Sequence, residues 1–95
     1  MTSSLPTITI DCAQVRTRED FWGAYLAAVK PQDSALFGRN LDALWDALAG
    51  GPGSPGECVL RLVGARELEA IDDGSFLRAL EEIARDSRTV QIVIE

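Results

Sequence analysis

Three short stretches of this chain alternate between apolar and polar residues with period two, and helical spacing fills the gaps between them. In Thr7–Asp11 the apolar side is Ile8 and Ile10. In Cys58–Val63 it is Leu60 and Leu62, with Arg61 pointing the other way. In Thr89–Glu95 it is Val90, Ile92 and Ile94, with Gln91 and Glu95 opposite. Side chains in a strand alternate between the two faces of a sheet, so each stretch predicts a strand. A parallel sheet covered on both faces would read as continuous apolar runs. The alternation instead predicts helices on one face and solvent on much of the other.

The intervening segments carry helix signals. Thr17 and Asp20 form a capping box with Asp in the place of Glu. Phe21, Ala24, Tyr25 and Ala28 then keep helical spacing to about Val29, and Lys30-Pro31 ends that helix. Asn40 is a good N-cap for a second helix whose stripe is Leu41, Leu44 and Leu48, and Gly50-Gly51-Pro52 a good stop. Ala65–Ile71 reads as a short helix. Ser75 is placed to cap a last one, with Phe76, Leu80 and Ile83 facing inward. The order β-α-α-β-α-α-β requires crossover connections between successive strands, hence parallel pairing with right-handed crossovers. The expected fold is a small two-layer α/β domain spanning 1–95, since 95 residues leave no length for a second one.

Composition removes several classes of function. Histidine is absent, and with it the commonest general base, the usual nucleophilic triads and most zinc sites. Cys12 and Cys58 match no metal or redox spacing and read as buried, free thiols. In parallel strands, one following the first strand and the other opening the second, they fall at opposite ends of the sheet, too far apart for a disulfide. No apolar run is long enough for a transmembrane helix. MTSSLPTITID lacks the basic and apolar regions of a secretory leader, so the chain is expected in the cytoplasm. Lys30 is the only lysine, and the Ala, Gly and Arg content fits a GC-rich genome, read here as bacterial. A net charge of −6 and a pI of about 4.5 argue against direct binding to a nucleic-acid backbone. They suit a partner that itself carries a basic groove.

Two helices each offer carboxylates four apart: Asp42 with Asp46, and Glu82 with Asp86. Like charges at that spacing repel by roughly 0.2–0.5 kcal/mol. Arg78 and Arg85 stand where they could pair with Glu82 and Glu81, and Asp42 gains from the helix dipole. Asp46 has neither compensation, and meeting a positive charge on another molecule is its most economical use. Trp45, between the two aspartates, is either a flanking, partly covered side chain or an interface anchor.

NLDALWDAL, within Phe37–Gly50, resembles the signature helix of the barstar family, intracellular inhibitors of guanyl-specific ribonucleases related to barnase. The resemblance runs over nearly the whole chain, and SFLRALEEIARDSRTVQIVIE is similar without gaps to the family's last helix and strand. It implies a barstar-like fold, a three-stranded parallel sheet of order 1-2-3 packed with about four helices. It also implies that the second helix and the loop before it plug the active site of a secreted ribonuclease. On that reading Asp46 occupies the phosphate site, Asp42 is a second acidic contact and Trp45 an aromatic one. Asn40 and Gly50 fall on contact positions, and Glu82 and Ala79 are the contacts from the last helix. Leu36 and Phe37 stand where the family has two tyrosines, after a loop about two residues longer, and Phe37 could take the aromatic role. Arg39 replaces a family glutamate, and Gly51 a contact tryptophan. Ala47 and Arg88 stand at the family's cysteine positions. The implied protein is not an enzyme and needs no cofactor or metal.

Two other readings compete. Asp42, Asp46, Glu82 and Asp86 could hold Mg²⁺ or Mn²⁺ in a phosphoesterase-like site. Alternatively the chain is an acidic interaction module without a nuclease partner. Trp22 with Leu26 forms an apolar pair on the side of the first helix away from Phe21 and Tyr25, expected to be partly exposed and to support weak self-association of an otherwise monomeric chain.

Overall fold

The computed structural model describes residues 5–95, so the reading of the first four residues as carrying no leader lies outside it. Three strands, β1 (Thr7–Asp11), β2 (Val59–Val63) and β3 (Gln91–Ile94), pair in parallel in the order β1-β2-β3. Three α-helices, α1 (Arg18–Val29), α2 (Leu41–Leu48) and α3 (Ser75–Asp86), lie between them. Two 3₁₀ segments, Ser34–Leu36 and Ala65–Gly74, complete the order. The expected architecture is therefore present, with a 3₁₀ run in the place of one expected helix.

The alternation does what it predicts. Ile10, Leu60 and Leu62 are buried with Phe21 and Tyr25 of α1, Leu44 of α2 and Leu80 of α3 around one small internal space. All three helices thus cover one face of the sheet. On the other face Thr9, Arg61, Gln91 and Glu95 are exposed. There Arg61 and Glu95 form an ion pair, its second hydrogen bond 3.0 Å long.

The ends of the elements follow from local chemistry. The Thr17 hydroxyl accepts from the Asp20 amide at 3.1 Å, while the Asp20 carboxylate accepts from the Thr17 amide. Lys30 closes α1 in the left-handed region, its amide donating to the Leu26 carbonyl at 2.9 Å, and Pro31 follows. Ala65, Leu68 and Ile71 are buried at spacings of three, the period of a 3₁₀ rather than an α-helix. That run ends where Asp72, Asp73 and Gly74 all adopt positive φ. Ser75 does not cap α3: Gly74 is the N-cap residue, and the Ser75 hydroxyl donates to the Asp72 carbonyl at 2.8 Å. The Asp72 carboxylate, in turn, accepts from Arg18 at 2.6 Å, tying the start of α1 to this turn.

Trp22 overturns its expected exposure. It is 3% exposed, with its ring 5.0 Å from Phe21, 5.8 Å from Phe37 and 5.8 Å from Phe76 in edge-on contacts. The loop after α1 brings Phe37 over the side of the helix that was expected to be open. With that side covered, Trp22 offers nothing for self-association. Cys12 and Cys58 are buried and free, and the register Thr7↔Val59 to Asp11↔Val63 puts them at opposite ends of the sheet.

Candidate partner-binding surface

α2 is built as a short, well-terminated rod. The Asn40 side chain accepts from the Ala43 amide at 2.7 Å, satisfying one of the free amides at the helix start. At the other end the Gly50 amide donates to the Ala47 carbonyl at 3.0 Å and the Gly51 amide to the Asp46 carbonyl at 2.7 Å. This is the Schellman pairing, and Gly50, with φ of 106°, is the left-handed residue it requires. A β-carbon on Gly51 would sit 2.9 Å from the Asp46 carbonyl oxygen, so a tryptophan there would need the backbone to move.

With Leu44, Ala47 and Leu48 buried, Asp42, Trp45 and Asp46 are turned outward. Trp45 is 39% exposed, while the rings of Phe21, Trp22, Tyr25, Phe37 and Phe76 all lie in the core. Three open grooves lie along the outer side of α2, and Trp45 lines two of them. Leu36, Gly38, Asn40, Asp42, Asp46 and Pro52 line the first. Asp42, Trp45, Ala79 and Glu82 line the second, between α2 and α3. Trp45 also walls the third, with Leu48, Asp86 and Arg88. Leu36 is 71% exposed at the far side of the first groove. The structure therefore gathers Leu36, Asn40, Asp42, Trp45, Asp46, Ala79 and Glu82 onto one continuous surface across α2. Gly50 is exposed at the end of the helix but lines none of these grooves.

Phe37 is a correction. It is 6% exposed, stacked on Tyr25 with ring centroids 5.3 Å apart and an interplanar angle of 23°. Its ring fills the core and does not stand in for an exposed aromatic. Leu36, its neighbour, carries the exposed side chain of that turn.

The surface is acidic and uncompensated. The ion pairs among the described residues are Arg18–Asp72, Arg39–Glu19 and Arg61–Glu95, and none involves Asp42, Asp46, Glu82 or Asp86. The pairs that spacing allowed on α3, Arg78 with Glu82 and Glu81 with Arg85, do not form. Arg39 lies at the edge in the left-handed region, its guanidinium 3.6 Å from the Glu19 carboxylate. Nor do the four carboxylates converge as a cation site would: among the described residues no group of three acidic, cysteine or histidine side chains is arranged to hold a metal ion. What the arrangement can do is present spread negative charge, with an aromatic and an aliphatic anchor, to a basic concave partner.

The loops beside this surface are held by contacts that no sequence pattern announces. The Tyr25 hydroxyl donates to the Gly53 carbonyl at 2.8 Å, and the Gly53 amide donates to the Asp33 carboxylate at 3.0 Å. Nothing in the spacing of three residues in three different segments signals such a contact. Residues 5–94 match the family model described as Barstar (barnase inhibitor). A search of curated proteins finds no match.

Proposed function

The chain belongs to the barstar family of barnase inhibitors, and from that premise we propose that it binds and blocks the active site of a secreted, guanyl-specific ribonuclease of the barnase type. The observation that carries this reading is the unpaired set Asp42, Asp46 and Glu82 around the exposed ring of Trp45. Asp46 stands in for a substrate phosphate among the enzyme's basic groups. Asp42 and Glu82 flank it, Ala79 lets the partner approach α3, and Leu36 makes an apolar contact beside the site. Asn40 and Gly50 act at the two ends of α2, fixing its angle to the partner.

The mechanism is competition without chemistry. A phosphate site desolvated by a protein carboxylate excludes RNA, because both need the same positive groups. The inhibitor is itself no enzyme and acts in the cytoplasm, where a ribonuclease would destroy the cell's own RNA. Among the described residues no helix is long and apolar enough to cross a membrane.

The test is calorimetric titration of the protein into a barnase-type ribonuclease, beside titration with Mg²⁺. A stoichiometric complex with loss of RNA cleavage supports the reading. Saturable Mg²⁺ binding with no ribonuclease complex would replace it with the metal site.

A further inference from the structure

We propose that Tyr25 and Asp33 are positioning residues, which grip Gly53 from two sides and so hold the two loops bracketing α2 in the arrangement that a ribonuclease recognises. The inference rests on the proposed function for its partner, but its geometry stands alone.

Gly53 is held in three ways. Its carbonyl accepts from the Tyr25 hydroxyl at 2.8 Å, and its amide donates to the Asp33 carboxylate at 3.0 Å. Its open side faces the Phe37 ring so closely that a β-carbon would lie 2.6 Å from Cδ1. Its φ of 86° also lies where a side chain is strained. Tyr25 in turn stacks on Phe37. Asp33 and Phe37 belong to the loop entering α2, and Gly53 to the loop leaving it.

The consequence for the surface follows from chain neighbours. Leu36 precedes Phe37 and Pro52 precedes Gly53, and both line the groove that contains Asp42 and Asp46. Fixing Phe37 against Gly53 therefore fixes the two walls of that groove. Burial raises the Tyr25 hydroxyl above its ordinary pKa, so it remains a donor at neutral and mildly alkaline pH. Loops ordered before binding do not have to lose that freedom during it, and a partner sees the competent state at full population.

The test compares Tyr25→Phe, Asp33→Ala and Asp33→Asn with the wild type, by affinity for a barnase-type ribonuclease and by amide hydrogen exchange of the free protein. Each of the first two loses one hydrogen bond and should weaken binding about five- to tenfold. Asn keeps an acceptor oxygen, so Asp33→Asn should bind within about twofold of wild type. In Tyr25→Phe and Asp33→Ala, amides between Leu36 and Gly51 should exchange faster while those of α3 and β3 do not change. Wild-type affinity in both variants, or equal loss in Asp33→Ala and Asp33→Asn, would overturn the proposal. If the wild type binds no ribonuclease, the proposed function fails by itself. Exchange then decides the clamp, and unchanged or uniformly faster exchange overturns it.

Discussion

Asp46 is exposed, has no ion-pair partner among the described residues, and lies on the same helix face as another carboxylate. A residue so placed contributes nothing to the free protein's stability, so its effect belongs to the complex. Truncating one member of a desolvated charge cluster leaves the others unpaired at about 2–5 kcal/mol, a range drawn partly from barnase–inhibitor interfaces themselves. Asp46→Ala is therefore expected to weaken inhibition by at least about 30-fold, mainly through faster dissociation. The melting temperature should be unchanged or slightly higher, because the repulsion with Asp42 goes and a better helix former arrives. Inhibition constants and a thermal melt check both halves. Arg39 is expected to act on association instead. As a cation at the edge of an acidic surface, it suits a target with acidic groups around its basic centre. Arg39→Glu should slow association with such a target and speed it with a uniformly basic ribonuclease, the difference shrinking at high salt. Stopped-flow rates at two salt concentrations test it, and equal effects on both enzymes would remove the argument. At this scale the unpaired state of Asp46 was legible, because helical spacing places no basic residue within its reach on α2. Phe37 was not: adjacent apolar residues in a loop have no period, and only the fold decides that Phe37 turns in and Leu36 out.

At the scale of elements, the strands and helix ends were legible because each is set locally, by alternation, by a capping side chain or by a left-handed residue. α1 shows where locality fails. Phe21 and Trp22 are successive residues about 100° apart around the helix axis, so one apolar stripe cannot contain both. Both are buried because the sheet covers one side and the loop bearing Phe37 covers another. That loop's path depends on Tyr25, Asp33 and Gly53, three residues remote in sequence. The turn before α3 is the converse, a local cost imposed by packing. Asp72, Asp73 and Gly74 are three left-handed residues in succession, and two of them carry side chains. Asp72 is compensated by Arg18, which also lies over the Phe76 ring at 5.5 Å. Asp73 has no ion-pair partner among the described residues. A non-glycine residue in that region costs on the order of 1 kcal/mol. Asp73→Gly is accordingly expected to leave stability unchanged or raise it by up to about 0.5 kcal/mol, after the extra flexibility of glycine in the unfolded chain is counted. Urea denaturation measures it, and a destabilised variant would mean that the Asp73 side chain has a role in the native turn. Binding should not change, since no residue of this turn lines the grooves along α2.

The whole molecule combines an acidic surface with a core that admits ionisable groups only in neutral form. Its net charge is −6, yet among the described residues no charged side chain is buried. Among the described residues the titratable groups inside are Cys12, Cys58 and Tyr25. Burial pushes all three upward: Cys12 from 9.0 to about 11, with the nearby Asp11 charge adding to it, and Cys58 and Tyr25 in the same direction. The folded state then holds protons that the unfolded chain releases at lower pH. Stability from these groups is fully present below the unfolded thiol value of 9.0 and is lost as pH rises toward about 11. The protein is expected to keep a constant melting temperature from neutral pH to about 8.5 and to lose stability steeply above 9. A Cys12→Ala, Cys58→Ala variant removes two of the three groups, so its melting temperature should fall less over the same interval even if it starts lower. Thiol titration adds a second measurement. Both thiols should react completely in denaturant and slowly in the native protein, because the reactive thiolate is the form that burial disfavours. Circular dichroism melts across pH 7 to 11 decide the matter. A flat wild-type profile, or a double variant that declines as steeply as the wild type, would show that the buried thiols do not set the alkaline limit.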